Sequence, residues 1–526
     1  MRQVLHIFLK DLRHYWRESA VSAGLLVAFA WNEMRGWAHD DAAAYGFGGF
    51  FSFGFLSGLI VALVPVAWSF LTVRAIQGES LVGNRQFWLT RPYEWKKLLT
   101  AKVLFVVTFV NLPLVITQVF LLAKAGFSPV QHAVGLLWMQ IMMLLFFMLP
   151  VVALATVTAT VVQMILASLI VVLYAVGMGV MSAYVPSSGF SGPMDSVTAG
   201  LLICGCLFVI LIQYARRETT KARLIMVGLA VAMLLILAFT PYKTLVDREF
   251  PTLSLGQLPP LQISLLSPDK AFSEAGAPQE NDEVQIRMPL RVSGIAPGSV
   301  LIMSGFLIEI ESNNGLRWNS GWKSPGLFLF PEQDQSQIDF ALKKKLLESL
   351  KSSSPVKVRV SLALSVFLDQ HAREFVTPDG SFLLPEVGRC SAEGGYFRRI
   401  HCLAPLRGPS FMLMRADMSK DTCPLAKGEP LHLPGEIAWG WVQNGGSEPA
   451  EFGISPVKTV NLYLSSTNTS PRYWGLGICP GTELTLSNPQ LMRRNQIAVQ
   501  FENVPLLDYR QGEAKPSTIK VVLQSR

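Results

Sequence analysis

The residues of this chain with the clearest chemical meaning are its six cysteines. Cys204 and Cys206 lie within an apolar run, where a small packing role is expected. The other four lie in the second half of the chain, at Cys390, Cys402, Cys423 and Cys479. An even number in an oxidising compartment predicts two disulfides, with three possible pairings. Free thiols and a metal site stay open as alternatives, although the spacing lacks the Cys-x-x-Cys pair of a zinc knuckle.

Motifs for catalysis are missing from the sequence. It has no Walker A loop for phosphate, no His-Glu-x-x-His pattern for zinc and no Gly-x-Ser-x-Gly turn for a nucleophilic serine. The run His39-Asp40-Asp41 sets a histidine directly beside carboxylates. Three adjacent residues rarely converge on one ion, so a solvated turn is the favoured interpretation. We expect no enzymatic activity, no catalytic residue, no metal site and no cofactor bound by this chain.

The distribution of charge divides the chain in two. Residues 1–240 carry 16 Lys and Arg against 9 Asp and Glu, whereas residues 241–526 carry 29 against 28. The 70 residues between Lys124 and Asp195 include no charged side chain. Such runs are typical of transmembrane helices, because about 20 residues cross the hydrocarbon of a bilayer. The basic excess therefore indicates orientation in a lipid bilayer, and we expect no nucleic-acid partner.

Seven apolar segments are expected to span a membrane as helices. Their ranges are Ala20–Asn32, Phe51–Val73, Val103–Ala123, Ala133–Val157, Ala159–Tyr184, Val197–Tyr214 and Leu224–Thr240. The fourth and fifth form one continuous stretch. We divide it near Thr156, Thr158 and Thr160, because a helix of about 50 residues would be about 75 Å long.

The loops between these segments set their orientation through Lys and Arg. With the N-terminus in the cytoplasm, the inner segments hold 14 basic residues and the outer loops hold only Arg35 and Lys124. This asymmetry predicts an extracytoplasmic location for everything after Thr240. We expect the chain in a bacterial cytoplasmic (inner) membrane.

The N-terminal residues 1–19 predict a basic amphipathic helix at the inner membrane surface. Its apolar stripe consists of Leu5, Phe8, Leu9, Leu12 and Trp16. A cleaved signal peptide is the alternative. Asp11 and Glu18 fit that alternative poorly, because such signals begin with a positively charged segment.

The composition changes at the start of the second half. We expect an α-helical polytopic membrane domain over residues 20–240 and a β-rich extracytoplasmic domain, with one or two β-sandwich units, over residues 241–526. The clearest strand signals are Val284–Val292, Val300–Ile310, Val356–Phe367, Val457–Leu464, Ile497–Phe501 and Thr518–Leu523. A helix is expected over Gln337–Leu350.

Amide side chains occur inside several predicted spans. Asn111 and Gln118 are seven residues apart in the third span and therefore share a face, and Gln140 and Gln163 lie in the next two spans. Hydrogen bonding between helices is the favoured role, and a substrate path is the alternative. No charged residue lies deep in a span, which disfavours proton- or ion-coupled transport.

The cytoplasmic segment from Arg74 to Lys102 is too long for a simple turn. We expect a short helix, an apolar knuckle and a second helix that enters the membrane at Leu98–Lys102. Aromatic side chains stand among its charges, at Phe87, Trp88, Tyr93 and Trp95. They indicate a docking surface for a partner. The alternative is an interfacial aromatic belt with lysines that reach the headgroups.

Together these features resemble the permease subunits of type-2 ABC exporters, the ABC-2 membrane family, over about residues 1–215. The resemblance is carried by the basic N-terminal helix, by Glu79 followed by Gly83, and by four further spans with little loop. It is also carried by Leu89–Lys102, which is similar to the family pattern l-x-x-P-x-x-x-x-x-l-l-x-x-K. The usual member has six spans and a cytoplasmic C-terminus, so the seventh span and the exported domain depart from it.

The resemblance implies a permease-like subunit of an ATP-driven exporter. In that family the loop after the second span contacts a separate ATPase subunit, which binds the ATP, and two permeases, identical or different, form the pathway. The residues implied in this contact are Glu79, Gly83, Arg85, Phe87, Trp88, Arg91 and Pro92. The exported domain would handle substrate or partners. A non-transporting, membrane-anchored envelope binding protein and an envelope enzyme stay open as alternatives.

Overall fold

The computed structural model has a helical N-terminal region followed by a strand-rich C-terminal region, which confirms the expected order of helices and strands. The described residues are 2–37, 53–79, 94–184, 192–239, 242–252, 261–268, 283–296, 298–323, 327–329, 335–351, 355–368, 374–376, 380–384, 388–392, 400–405, 411–417, 437–443, 454–462, 465–466, 484–487 and 489–510.

The N-terminal region is built from apolar helices that overlap the seven expected segments. They are α1 (Arg2–Gly36), α2 (Phe53–Gln77), α3 (Trp95–Lys124), α4 (Ala133–Val157), α5 (Val161–Tyr184), α6 (Gly192–Ala215) and α7 (Thr219–Phe239). Within the described residues, five of them are long and apolar enough to cross a membrane, namely α2, α3, α4, α6 and α7. These five helices indicate a membrane protein.

The expected division between the fourth and fifth segments is confirmed. Thr158 has extended backbone torsions, φ −106° and ψ 137°, directly after the last residue of α4. The side chain of Gln163 accepts a hydrogen bond from the amide of Ala159 at 2.9 Å, and the hydroxyl of Thr160 accepts one from the amide of Gln163 at 3.2 Å. These side chains satisfy amides that the first turn of α5 leaves without helical partners.

Helix α1 is continuous through the predicted interfacial segment and the first apolar segment. It is kinked at Tyr15, whose torsions are φ −108° and ψ 20°. Its buried face carries Ile7, Asp11 and Tyr15, one turn apart from each other. In the stripe expected from the sequence, Leu5, Leu9 and Trp16 are exposed, whereas Phe8 packs against the core of the helical bundle. The amphipathic pattern thus locates only part of an outward apolar face, and the protein-facing side of the helix includes a carboxylate.

Helices α3 and α4 each contain a stretch of π-helix near the middle. In α3 it covers Val107–Asn111, and in α4 it covers Met143–Met148. A π-helical turn inserts one extra residue per turn, and such turns are frequent at functional sites. Asn111 belongs to the first stretch.

After α7, a short helix α8 (Tyr242–Glu249) leads into the strands. Those in the first part are β1 (Gln262–Leu265), β2 (Glu283–Ser293), β3 (Ser299–Glu311), β4 (Arg317–Asn319), β5 (Leu327–Leu329), β6 (Gln335–Lys343) and β7 (Val356–Leu368). The later ones are β8 (Glu374–Val376), β9 (Gly380–Leu384), β10 (Gly388–Ala392), β11 (Ile400–Pro405), β12 (Phe411–Asp417), β13 (Ile437–Gln443), β14 (Val457–Leu462), β15 (Ser465–Ser466), β16 (Leu484–Ser487) and β17 (Gln490–Val504).

The strands form open antiparallel sheets. One has the order β1-β2-β6 and a second has the order β17-β7-β3-β4, with β5 also paired to β3. Ile286 and Phe340 from the first sheet lie in the same buried apolar cluster as Ile308 and Leu362 from the second. The two sheets therefore share one core. Of the expected strands, Thr518–Leu523 lies outside the described residues.

The helix expected over Gln337–Leu350 is wrong in its first half. Residues 335–343 form β6, and only Lys344–Lys351 is helical, as α9. In β6, Ile338, Phe340 and Leu342 are buried in alternation, and the strand pairs along its whole length with β2. This alternate burial against a partner strand outweighs the helical propensity of the segment.

Two further sheets have the orders β14-β11-β10-β9 and β15-β13-β12-β16-β8. Cys390 in β10 lies directly opposite Cys402 in β11, and the two form a disulfide. Cys423 and Cys479 lie outside the described residues. One predicted bond is therefore present, in a pairing that the sequence left open.

Candidate functional site

Three helices meet where the loop 80–93 begins and ends. Helix α2 ends at Gln77, two residues before Glu79, and α3 begins just after the loop. The N-terminal part of α1 packs against both. The buried side of each element carries a charged residue at this point, namely Asp11 on α1, Glu79 after α2 and Lys102 on α3.

These residues form a buried charge cluster. The Nζ atom of Lys102 lies 2.7 Å from an Asp11 carboxylate oxygen and 3.5 Å from a Glu79 carboxylate oxygen. Lys10 donates a hydrogen bond to the same Glu79 oxygen at 2.7 Å. The side chains of Asp11, Glu79 and Lys102 are at most 5% exposed, whereas that of Lys10 is 47% exposed. Two cations thus balance two anions, and one of the cations reaches solvent.

The electrostatics of the cluster keep Glu79 ionised. Burial by itself raises the pKa of the Glu79 carboxyl, but Lys102 and Lys10 outweigh burial and hold that pKa below its usual range. A buried charge without a partner is costly, and loss of one member of such a pair typically destabilises by about 3–5 kcal/mol. Each member is therefore needed by the others.

Tyr15 adds a second contact between α1 and the end of α2. Its hydroxyl donates a hydrogen bond to the Arg74 carbonyl oxygen at 2.9 Å. Gly78 lies against the same hydroxyl, and a β-carbon at Gly78 would overlap it. The glycine permits close approach of the two elements directly before Glu79. Tyr15 thus holds the end of α2 against α1 directly before Glu79.

The cluster suits mechanical connection better than chemistry. It has no nucleophile and no free base, and in the described part of the chain no three His, Cys, Asp or Glu residues are grouped so as to hold a metal ion. Glu79 precedes the loop and Lys102 follows it, so the ion pair joins the loop's two flanks to each other and to α1. The three helices are therefore joined to one another at the two ends of the segment 80–93.

Among the sequence-predicted contact residues, the described part of the chain contains Glu79, which is 3% exposed and bound by two lysines. The others, Gly83, Arg85, Phe87, Trp88, Arg91 and Pro92, lie outside the described residues. The carboxylate of Glu79 joins the end of α2 to α1 and α3 through its ion pairs, and it does not face solvent. Asp11 was missed, because a single acid in a basic amphipathic helix gives no sign of a distant partner.

A second buried polar group joins α3 and α4 farther along α3. Asn111 donates to Gln140 at 2.9 Å, and Gln140 donates to Gln118 at 2.8 Å. All three side chains are at most 7% exposed. The expected hydrogen bonding between helices is confirmed for these residues. Gln163 instead caps α5.

Comparisons with known proteins leave the family open. No protein-family model matches the chain, and no curated protein matches it. Among solved structures, a transglutaminase from red sea bream matches with 9% sequence identity and a TM-score of 0.13. The match covers 45% of this chain and 30% of that chain. A TM-score this low carries no argument about fold or activity.

Proposed function

We propose that this chain is the permease-like membrane subunit of an ATP-driven exporter, similar to the type-2 ABC class, and that the segment 74–102 contacts a separate ATPase. In this proposal the seven helices span the bacterial inner membrane. The N-terminus lies in the cytoplasm, the strand-rich region lies outside, and two such subunits form the pathway.

The observation that carries the proposal is the buried charge cluster. An ATPase can shift the conformational equilibrium of the membrane subunit only through a contact that differs between the subunit's two conformations. The loop that makes this contact must therefore be attached stiffly to the membrane helices, so that its movement moves them. Glu79 and Lys102 provide that attachment on the two sides of the loop, and Asp11 extends it to α1. A solvated turn without such ion pairs would pass little of the ATPase's movement to the membrane helices.

The positions of the cluster and the strand-rich region along α3 support the proposed orientation. Lys102 lies near the start of α3, and Gln118 near its end donates a hydrogen bond to the carbonyl of Ile454 at 3.0 Å. These residues are 16 positions apart, which corresponds to about 24 Å of helix. The loop 80–93 leads into the start of α3, and the strand-rich region contacts α3 near its other end, as expected for a loop inside and an exported domain outside.

Co-purification with an ATPase from the native membrane tests the proposal. Phe87→Ala with Trp88→Ala should abolish co-purification, since aromatic anchors contribute about 2 kcal/mol or more, roughly thirtyfold in affinity. Membrane insertion should be unchanged, because the apolar helices are untouched.

The matched control is Lys96→Ala with Lys97→Ala, in the first turn of α3. Lys97 is bound to Glu94 at 2.7 Å on an exposed surface. Loss of such charges should weaken association modestly and in a salt-dependent manner. Wild-type recovery of an ATPase by the aromatic variant would mean that the loop is an interfacial belt, and the membrane-anchored binding protein would become the better proposal.

A further inference from the structure

The amide chain of α3 and α4 continues into the strand-rich region. From Asn111 through Gln140 to Gln118 each side chain donates to the next, and Gln118 finally donates to the carbonyl oxygen of Ile454, 336 residues away. The side chain of Ile454 packs on the apolar cluster inside the helical bundle. The amide chain therefore ends on a main-chain carbonyl supplied by the strand-rich region.

The residues after Ile454 continue this contact across three helices. Trp37, directly after the end of α1, packs against the same apolar cluster as Val457. Val457 is 1% exposed and packs against Leu122, Ala125 and Leu136, at the ends of α3 and α4 nearest the strands. Residues 454–456 are bends directly before β14, so the contact is made where an edge strand of a sheet begins.

The bundle behind this segment has polar groups that lack partners. The side-chain oxygen of Asn111 and the indole nitrogen of Trp68 are buried without a hydrogen-bond partner. Trp68 packs in the same cluster as Val110 and Leu114, which flank Asn111 in sequence. An unpaired buried acceptor or donor raises the free energy of the state that contains it, and entry of water or a neutral polar group would lower it.

The π-helical stretches lie beside the same amides. Asn111 ends the stretch in α3, and the stretch in α4 begins three residues after Gln140. The backbone in a π-helical stretch can return to α-helix by shifting one residue, which turns the following side chains around the helix axis. Both helices that supply amides thus have a place where such a shift can occur.

We propose that the segment Ile454–Val457 is a removable closure of the outer end of the helical bundle, held by the hydrogen bond from Gln118 and by the packing of Val457. Withdrawal of the segment exposes the amides of Asn111, Gln140 and Gln118 to the extracytoplasmic side. Because this lining has amide donors and acceptors and no charge, it admits water or neutral polar groups in preference to ions. The inference rests on the proposed membrane orientation and does not depend on an ATPase partner, and the reporter fusions described in the Discussion test that orientation separately.

Thiol labelling of the full-length chain in membranes tests the closure. Asn111→Cys is the reporter, in a background with Cys204→Ala and Cys206→Ala, and the probe is an uncharged, sugar-linked methanethiosulfonate, which does not cross the membrane and is applied from outside. Val457→Asp displaces the segment from the sheet side, and Ala125→Phe displaces it from the helix side. Each should raise the labelling rate of residue 111, read by peptide mass spectrometry, at least tenfold.

The control for general loosening is Leu491→Asp. Leu491 is 41% exposed on β17 and is not part of the cluster around Val457, so labelling should stay at the level of the reporter alone. Rapid labelling of the reporter without any displacement would overturn the closure. Unchanged labelling in both displaced variants would overturn it as well.

An engineered disulfide that holds the segment in place, here called the lock, tests whether the segment leaves the bundle in the native protein. Ala125→Cys with Val457→Cys places two thiols where the side chains of Ala125 and Val457 now pack together, so that oxidation can join them. If the segment leaves spontaneously, the oxidised lock should abolish the slow residual labelling of residue 111. Opening the lock with a reductant that is removed before the probe is added should restore the labelling. The same residual rate with and without the lock would show that the contact is static and that the proposal is wrong.

Discussion

The ammonium group of Lys102 and a carboxylate oxygen of Asp11 lie 2.7 Å apart, although 91 residues separate them in the sequence. Both side chains are almost fully buried. Charges of this kind are rarely buried without a partner, because desolvation is expensive unless the counter-charge is fixed nearby. The pair therefore fixes the position of α1 relative to α3 at the point where the loop 80–93 rejoins the helices.

We expect Lys102→Met to lower the free energy of unfolding by about 3–5 kcal/mol, because it leaves Asp11 as a buried, unpaired anion. Lys97→Met removes a lysine of the exposed pair with Glu94 and should cost less than about 1 kcal/mol. Addition of Asp11→Asn to Lys102→Met should recover part of the loss. Denaturant unfolding of the detergent-solubilised chain measures all three. Equal effects of Lys102→Met and Lys97→Met would mean that the cluster is hydrated.

The lowered pKa of Glu79 predicts a pH dependence of this stabilisation. The carboxyl is held below its usual pKa of 4.5, so it binds protons more readily in the unfolded chain. Its contribution is fully present above that value and is lost as the pH falls through the lower folded-state pKa. The melting temperatures of wild type and Glu79→Gln should therefore differ at neutral pH and converge in strong acid.

The exposed carboxyl Glu94 provides the comparison for this titration. It is 65% exposed beside Lys97, and Glu94→Gln should leave the melting temperature nearly unchanged at every pH. A wild-type advantage over Glu79→Gln that persisted undiminished in strong acid would contradict a charge-based role for Glu79.

The parts of the structure that composition predicted are those that depend on local properties. Membrane helices follow from the free energy of transferring about 20 consecutive side chains, and the break at Thr158 follows from a length that one helix cannot have. Residues that are distant in sequence and meet only in the fold could not be predicted from local sequence patterns. Asp11 was visible only as an acid out of place, and no pattern near Ile454 indicated its insertion among the helices.

The error at residues 337–343 has the same origin. The lysines at 343–345 and the apolar residues around them suggested one amphipathic helix. The strand β6 forms because β2 lies beside it and buries Ile338, Phe340 and Leu342 in alternation. The partner strand begins more than 50 residues earlier, so a window along the chain could not reveal the pairing.

Gly78 offers a test of the contact between α1 and α2. Gly78→Ala should destabilise the chain by about 1–3 kcal/mol, because the new methyl group overlaps the Tyr15 hydroxyl. Tyr15→Phe removes that hydroxyl and its hydrogen bond to Arg74, and alone should cost about 1 kcal/mol. The double variant should be more stable than the sum of the two losses predicts. Strict additivity in thermal unfolding would argue against the contact.

Reporter fusions test the orientation of the whole helical region. A periplasmically active phosphatase fused after Lys243 should be active, and the same reporter fused after Lys221 should be inactive, because all but the first three residues of α7 lie between the two sites. The expectation rests on the 14 basic residues assigned to the inner segments against 2 in the outer loops. A cytoplasmically folding fluorescent protein at each site should give the opposite result. Phosphatase activity after Lys221 but not after Lys243 would reverse the orientation, and it would place the strand-rich region on the same side as the ATPase.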